Sequence, residues 1–203
     1  MRKDYVHVLA AISCIVLSVF LSSCIGSNAR PAEKQNIIIN NDLKIIFRQS
    51  LKHLQVEEYD DAISLLETFT TKEKRLTAPY VNLGIAYSRT GMTKQAEQSF
   101  IAALRLDIGH AVANNELGLL YRKTGRFGAA RSVYQNAITM HPDYLPVRKN
   151  LGILCEIYLH DLTCAIEQYR AYIEYKPDEK IIATWVLELQ QRLSLKQNLS
   201  NGG

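Results

Sequence analysis

From Leu43 onward the apolar residues recur at three- and four-residue intervals, the rhythm of amphipathic helices, and no alternating stretch is long enough to make a strand. A longer rhythm lies over that one. Leu83-Gly84-Ile85-Ala86-Tyr87, Leu117-Gly118-Leu119-Leu120-Tyr121 and Leu151-Gly152-Ile153-Leu154-Cys155 set their glycines 34 residues apart, twice in succession. Ala62, Ala96 and Ala130 keep the interval of 34, and Ala165 follows after 35, which predicts an extra residue in the loop around Leu159-His160-Asp161. Pro142 and Pro177 each fall twelve residues beyond one of these alanines, where a second helix should stop. Such self-similarity predicts helix-turn-helix units at about 43–76, 77–110, 111–144 and 145–179. A closing helix over 180–197 carries Ile182, Trp185, Val186, Leu189 and Leu193 on one stripe, with Trp185 expected in the core. Residues 198–203 are expected to fray.

These residues resemble the tetratricopeptide repeat family, whose 34-residue unit has Leu-Gly and an aromatic in helix A, then Ala, an aromatic, Ala and a closing Pro in helix B. The second unit matches with Tyr80, Leu83, Gly84, Tyr87, Ala96, Phe100 and Ala103, and the third with Leu117, Gly118, Tyr121, Ala130, Tyr134, Ala137 and Pro142. The fourth keeps Leu151, Gly152, Ala165, Tyr169 and Pro177 but has Cys155 and Tyr172 at two pattern positions; the first has Ser50 where the others have glycine. The resemblance implies an all-α fold, a right-handed superhelical array of about four repeats with a C-terminal capping helix. Gly84, Gly118 and Gly152 in helix interiors cost about 1 kcal/mol each relative to Ala, which makes sense where a facing helix comes close. The expected partners are Ala96, Ala130 and Ala165.

In that family, positions two, five, nine and twelve of helix A line a concave groove that takes extended or helical peptide. Carried over, the lining is Ala78, Val81, Ile85, Ser88, Val112, Asn115, Leu119, Arg122, Pro146, Lys149, Ile153 and Glu156, with Asn82 and Asn150 one place beyond the second of these positions. The groove lacks the full Lys and Asn set with which chaperone-binding members clamp a C-terminal carboxylate. Asn82, Asn115, Arg122 and Lys149 are expected to be partly exposed and to meet a protein or peptide partner.

Ahead of the array, Met1 to Lys3 is a short basic start and Val6 to Phe20 a mainly apolar run of fifteen residues, closed by Leu21-Ser22-Ser23-Cys24. That is the layout of an export signal, and the run is short for a permanent span. The closing tetrapeptide resembles the lipobox of bacterial lipoproteins. The resemblance implies a signal peptide at 1–23, cleavage before Cys24, diacylation of its thiol and acylation of the new amino terminus; an uncleaved anchor or a signal cut elsewhere are the alternatives. One fatty chain holds a protein marginally, whereas two or three anchor it stably at about 0.8 kcal/mol per buried methylene. Ile25, rather than Asp, after the cysteine points to the outer membrane of a two-membrane cell. Residues 24–41, with Gly26, Ser27, Asn28, Pro31 and Gln35, read as the lipidated end and a tether of roughly 20–25 Å average span. Ile37-Ile38-Ile39 is its apolar exception, placed to pack under the first helix.

At 203 residues and 47% hydrophobic content the chain can bury a core as one domain. The formal charge of +4 falls to +3 without residues 1–23, and acids and bases are interleaved, so nucleic acid is not an expected partner. The five histidines are scattered, the glycines are absorbed by helix contacts, turns and tails, and no pair of carboxylates stands out. No catalytic residue, cofactor or metal is assigned. Cys155, His160 and Cys164 form the one suggestive cluster, short of a fourth ligand for zinc. In an exported protein Cys155 and Cys164 are either a disulfide or two buried thiols, and both readings stand. The expectation is an envelope scaffold that helps assemble or localise a complex such as a pilus or secretion channel, facing the periplasm. An adaptor for envelope enzymes such as peptidoglycan hydrolases and proteases, or an accessory of an energy-transducing membrane complex, is the other reading. Oligomeric state is not legible.

Overall fold

The computed structural model describes residues 38–201. The expected signal peptide, Cys24 and most of the tether lie outside the described residues. The helical unit begins at Ile39.

Among the described residues nine helices run in order: α1 (Asn41–Gln55), α2 (Tyr59–Lys72), α3 (Thr77–Arg89), α4 (Thr93–Leu106), α5 (Ala111–Lys123), α6 (Phe127–Met140), α7 (Leu145–Ile153, prolonged by a π turn over Leu154–Tyr158), α8 (Leu162–Tyr175) and α9 (Lys180–Asn201). Local chemistry starts several of them. The Asn40 carboxamide accepts the Asp42 N–H at 3.1 Å, His110 Nδ1 accepts that of Ala113 at 3.2 Å, and Asp161 Oδ1 accepts that of Cys164 at 3.0 Å. Pro146 sits in the first turn of α7, where its missing N–H leaves no orphan.

Consecutive helices pair as antiparallel hairpins, and each hairpin stacks on the next. Ala62, Ala96, Ala130 and Ala165 are fully buried in the B helices α2, α4, α6 and α8. The atoms nearest these glycines belong to aromatic rings, a contact the spacing did not suggest. A Cβ on Gly84 would stand 2.6 Å from Phe100, and the same atom on Gly118 or Gly152 would collide with Tyr134 or Tyr169. Helices α3, α5 and α7 are thus bare where a buried helix B aromatic lies across them, and burying such a side chain is worth about 1.5–3 kcal/mol. The buried clusters are built from residues between Phe47 and Leu193 and form the core of the stack.

The hairpin turns share one backbone device. Glu57, Gly91, Gly125 and His160 all have positive φ. In the first three turns the following N–H donates to the carbonyl five residues back, at 2.9 Å for Glu58 to His53 and 2.8 Å for Met92 to Tyr87 and Arg126 to Tyr121. In the fourth, Asp161 N–H reaches six residues back to Cys155 at 2.8 Å. The extra residue therefore does not lengthen the loop around His160, as expected from spacing; it is absorbed inside helix A as the π turn.

At the far end α9 buries Ile182, Val186 and Leu189, while Trp185 is half-buried with its ring 5.5 Å from that of Tyr169. The helix runs on to Asn201, past the expected end at 197.

Candidate functional site

Successive A helices also touch one another, α1 with α3, α3 with α5 and α5 with α7, which lays them along the inner side of the turn. Their inward positions give the site. Ile85, Leu119 and Ile153 are half-buried, one on each of three successive helices, as 34-residue register requires. Ile85 and Leu119 line a cleft of about 310 Å³ with Ser88, Arg89, Glu116, Leu120 and Lys123. Lys149 is half-buried and lines another with Pro146 and Tyr172.

Asn115 departs from expectation. It is only 4% exposed, because its carboxamide is spent on neighbours: its oxygen accepts from Asn150 Nδ2 at 2.8 Å and its own Nδ2 donates to Glu116 at 3.1 Å. Asn150 is therefore also engaged, and the pair ties the third repeat to the fourth. Asn82 and Arg122 are half-buried on the inner side.

Position twelve shows how repeat register changes chemistry. In the fourth repeat the Tyr169 hydroxyl donates to Glu156 at 3.1 Å, and Glu156 pairs with Arg192 of α9 at 3.5 Å, fastening the cap. In the third repeat the corresponding residue is Arg122. Its Nη1 and the Tyr134 hydroxyl are both enclosed without a protein partner. Burial pushes the phenols of Tyr134 and Tyr169 well above their ordinary range. Burial also raises the Glu116 carboxyl, opposed by the Asn115 hydrogen bond and the charge of Arg89.

Two groups were missed from sequence. Arg89 and Glu116 sit beside, not on, the inherited groove positions, and only packing brings them into the cleft. Lys44, Phe47 and Leu51 line a further cleft of about 390 Å³ against Ala78 and Pro79. They stand 34 residues before Ala78, Val81 and Ile85, a signal that extending the groove to the first repeat would have found.

Cys155 and Cys164 are joined by a disulfide, with Cα atoms 5.9 Å apart, linking the π turn to the start of α8. The polar group near these sulfurs is Asp161, which caps α8 and meets Arg131 at 3.2 Å. At the first turn His53, Glu58 and Asp61 bring ligand atoms within 4.8 Å of one another; these are largely exposed, with His53 Nδ1 2.6 Å from Glu58.

The family model for the tetratricopeptide repeat matches residues 78–107 and 111–144. A probable UDP-N-acetylglucosamine–peptide N-acetylglucosaminyltransferase SPINDLY of Petunia hybrida is 30% identical over 97 residues, which is 48% of this chain and 10% of that protein. The chain thus spans about a tenth of that relative's length, within its repeats. Among solved structures, MamA 41-end from Desulfovibrio magneticus RS-1 superposes with TM-score 0.68 at 19% identity, over 81% of this chain and 92% of that one. Naa15/Naa10 bound to HypK-THB superposes with TM-score 0.63 at 19% identity, over 79% of this chain and 24% of that one. Residues 78–144 therefore match two tetratricopeptide repeats, and the described residues fold as a TPR-type helical superhelix, an architecture that suggests a scaffold for binding protein.

Proposed function

We propose that the chain is a lipid-anchored scaffold of the cell envelope that assists assembly or localisation of a larger complex, such as a type IV pilus or secretion system. The observation that supports it most is the inner face itself. Ile85, Leu119 and Ile153 form an apolar row, half-open on three successive helices, with Asn82, Arg122 and Lys149 alongside. A peptide laid along that row would bury its apolar side chains and give its carbonyls and acids to the polar ones. Anchoring rests on the Leu21-to-Cys24 sequence, and with it the placement at an outer membrane, facing the periplasm. No helix among the described residues is long and apolar enough to cross a membrane.

The test combines Asn82→Ala, Arg122→Ala and Lys149→Ala. Partly exposed positions usually change stability by no more than about 0.5 kcal/mol each, so the variant should melt close to wild type. It should also fail to retrieve the protein that wild type captures from crosslinked envelopes; equal retrieval would move binding off this face. For the anchor, Cys24→Ala should abolish incorporation of radiolabelled fatty acid. Equal labelling of both proteins would refute lipidation at this residue.

A further inference from the structure

The two ends of the array differ. At the C-terminal end α9 covers the last hairpin. At the other end one face of α1 is exposed, running from the first-repeat end of the inner groove outward, and its composition is unlike that of an ordinary solvated helix. Lys44, Arg48 and Lys52 stand four residues apart on one exposed row, and the acid of this helix is Asp42, in its first turn. Among the described residues none of these three cations belongs to an ion pair. On the neighbouring α2 side, Glu58 is held by His53. Exposed apolar side chains flank the cations: Ile45 is 49% exposed, and Leu51 and Val56 are open. The cleft beside this flank is walled by Ile39, Phe47, Phe69 and Leu76, with Lys44 and Arg48 at its edge.

Cations alone would suit water or an acidic protein. Cations interleaved with exposed isoleucine and leucine suit an interface that offers phosphate at one depth and hydrocarbon just beneath it. We infer that this face of α1 rests on an anionic phospholipid surface, with Lys44, Arg48 and Lys52 at the phosphates and Ile45 and Leu51 entering the acyl boundary. The inference rests on anchoring at Cys24. Sixteen residues separate Cys24 from Asn41, so lipid on Cys24 would tie α1 to a bilayer. Each cation near such a surface multiplies attachment about fivefold. Docked this way, α1 and the first-repeat end of the groove face lipid, while the inner row from Ile85 to Ile153 is left to protein.

The sequence contains one tryptophan, Trp185, at the far end of the stack, and this supplies the probe. The full lipidated protein is reconstituted into vesicles of phosphatidylcholine and phosphatidylglycerol with brominated acyl chains, and tryptophan emission is compared between wild type and Ile45→Trp combined with Trp185→Phe. The indole at position 45 should be quenched and that of wild type should not. Adding Lys44→Glu, Arg48→Glu and Lys52→Glu should cut the quenched fraction at least tenfold while the protein still floats with the vesicles. Protein that floats with vesicles yet shows no quenching at position 45, or quenching indifferent to charge reversal, overturns the inference and leaves anchoring intact. Protein that does not float overturns both. An emission shift at position 45 that tracks protein concentration without vesicles means a second copy covers the flank, and also overturns it.

Discussion

The contact between helix A glycines and helix B rings predicts that one substitution has opposite signs at two sites. Gly118→Ala puts a methyl against the Tyr134 ring at a distance no real contact adopts, and Tyr134 is 0% exposed, with nowhere to retreat. Alanine in a helix interior returns about 1 kcal/mol, whereas overpacking a filled core costs about 1–3 kcal/mol, and the enclosed ring puts this case in the upper part of that range. The net loss should be about 1–2 kcal/mol, which for a domain of this size lowers the melting temperature by about 2–8 °C. Gly128→Ala is the control. Gly128 lies in α6 with nothing within 4 Å of its added Cβ, so the same methyl should stabilise by up to about 1 kcal/mol and raise the melting temperature by up to about 4 °C. Circular-dichroism melts of the three proteins decide it. Melting temperatures that rise for both variants would refute the ring contact as the reason for glycine at 84, 118 and 152.

Three local features elsewhere carry their own expected outcomes. Cys155 and Cys164 should resist alkylation in the folded protein until reduced, and reduction should lower the melting temperature by on the order of 5–10 °C, the few kcal/mol a short closed loop allows; full alkylation of unreduced protein would refute the bond. Hydrogen bonds from Arg75, together with its charge, hold the Glu73 carboxyl down at about 2 from an ordinary 4.5, so its stabilising effect is present above 4.5 and is lost as pH falls toward 2. The gap in melting temperature between wild type and Glu73→Gln should therefore close across that acid window, and a gap independent of pH would contradict the pairing. Glu57 has a φ of 61°, a region that costs a side chain about 1–2 kcal/mol, so Glu57→Gly should raise the melting temperature rather than lower it.

The fold was legible because the repeat is a spacing property. Glycines, alanines and closing prolines at fixed intervals locate every hairpin without reference to any contact. What stayed hidden depends on which atoms meet. Spacing between Gly152 and Ala165 bounds an insertion but does not say whether helix or loop absorbs it, and the Asp161-to-Cys155 hydrogen bond answers helix. Asn115 stood correctly on the inner side, yet its burial comes from Asn150, 35 residues on, at the next position of the following repeat. The aromatic opposite each glycine did carry a signal, an offset of 16, 16 and 17 residues from Gly84, Gly118 and Gly152, which the intervals among the small residues alone do not display.

Site-specific photocrosslinking asks whether protein is bound along the inner row of A helices. A photoreactive side chain replaces Leu119, in the cleft with Ile85, or Gln135, exposed on α6, in the full-length chain within intact cells. Irradiation should give a discrete adduct with another protein from position 119 and none from 135, and the adduct should vanish when Asn82, Arg122 and Lys149 are replaced by alanine. An adduct from position 135 alone, or one from 119 that survives those replacements, would contradict the inner face as the binding surface.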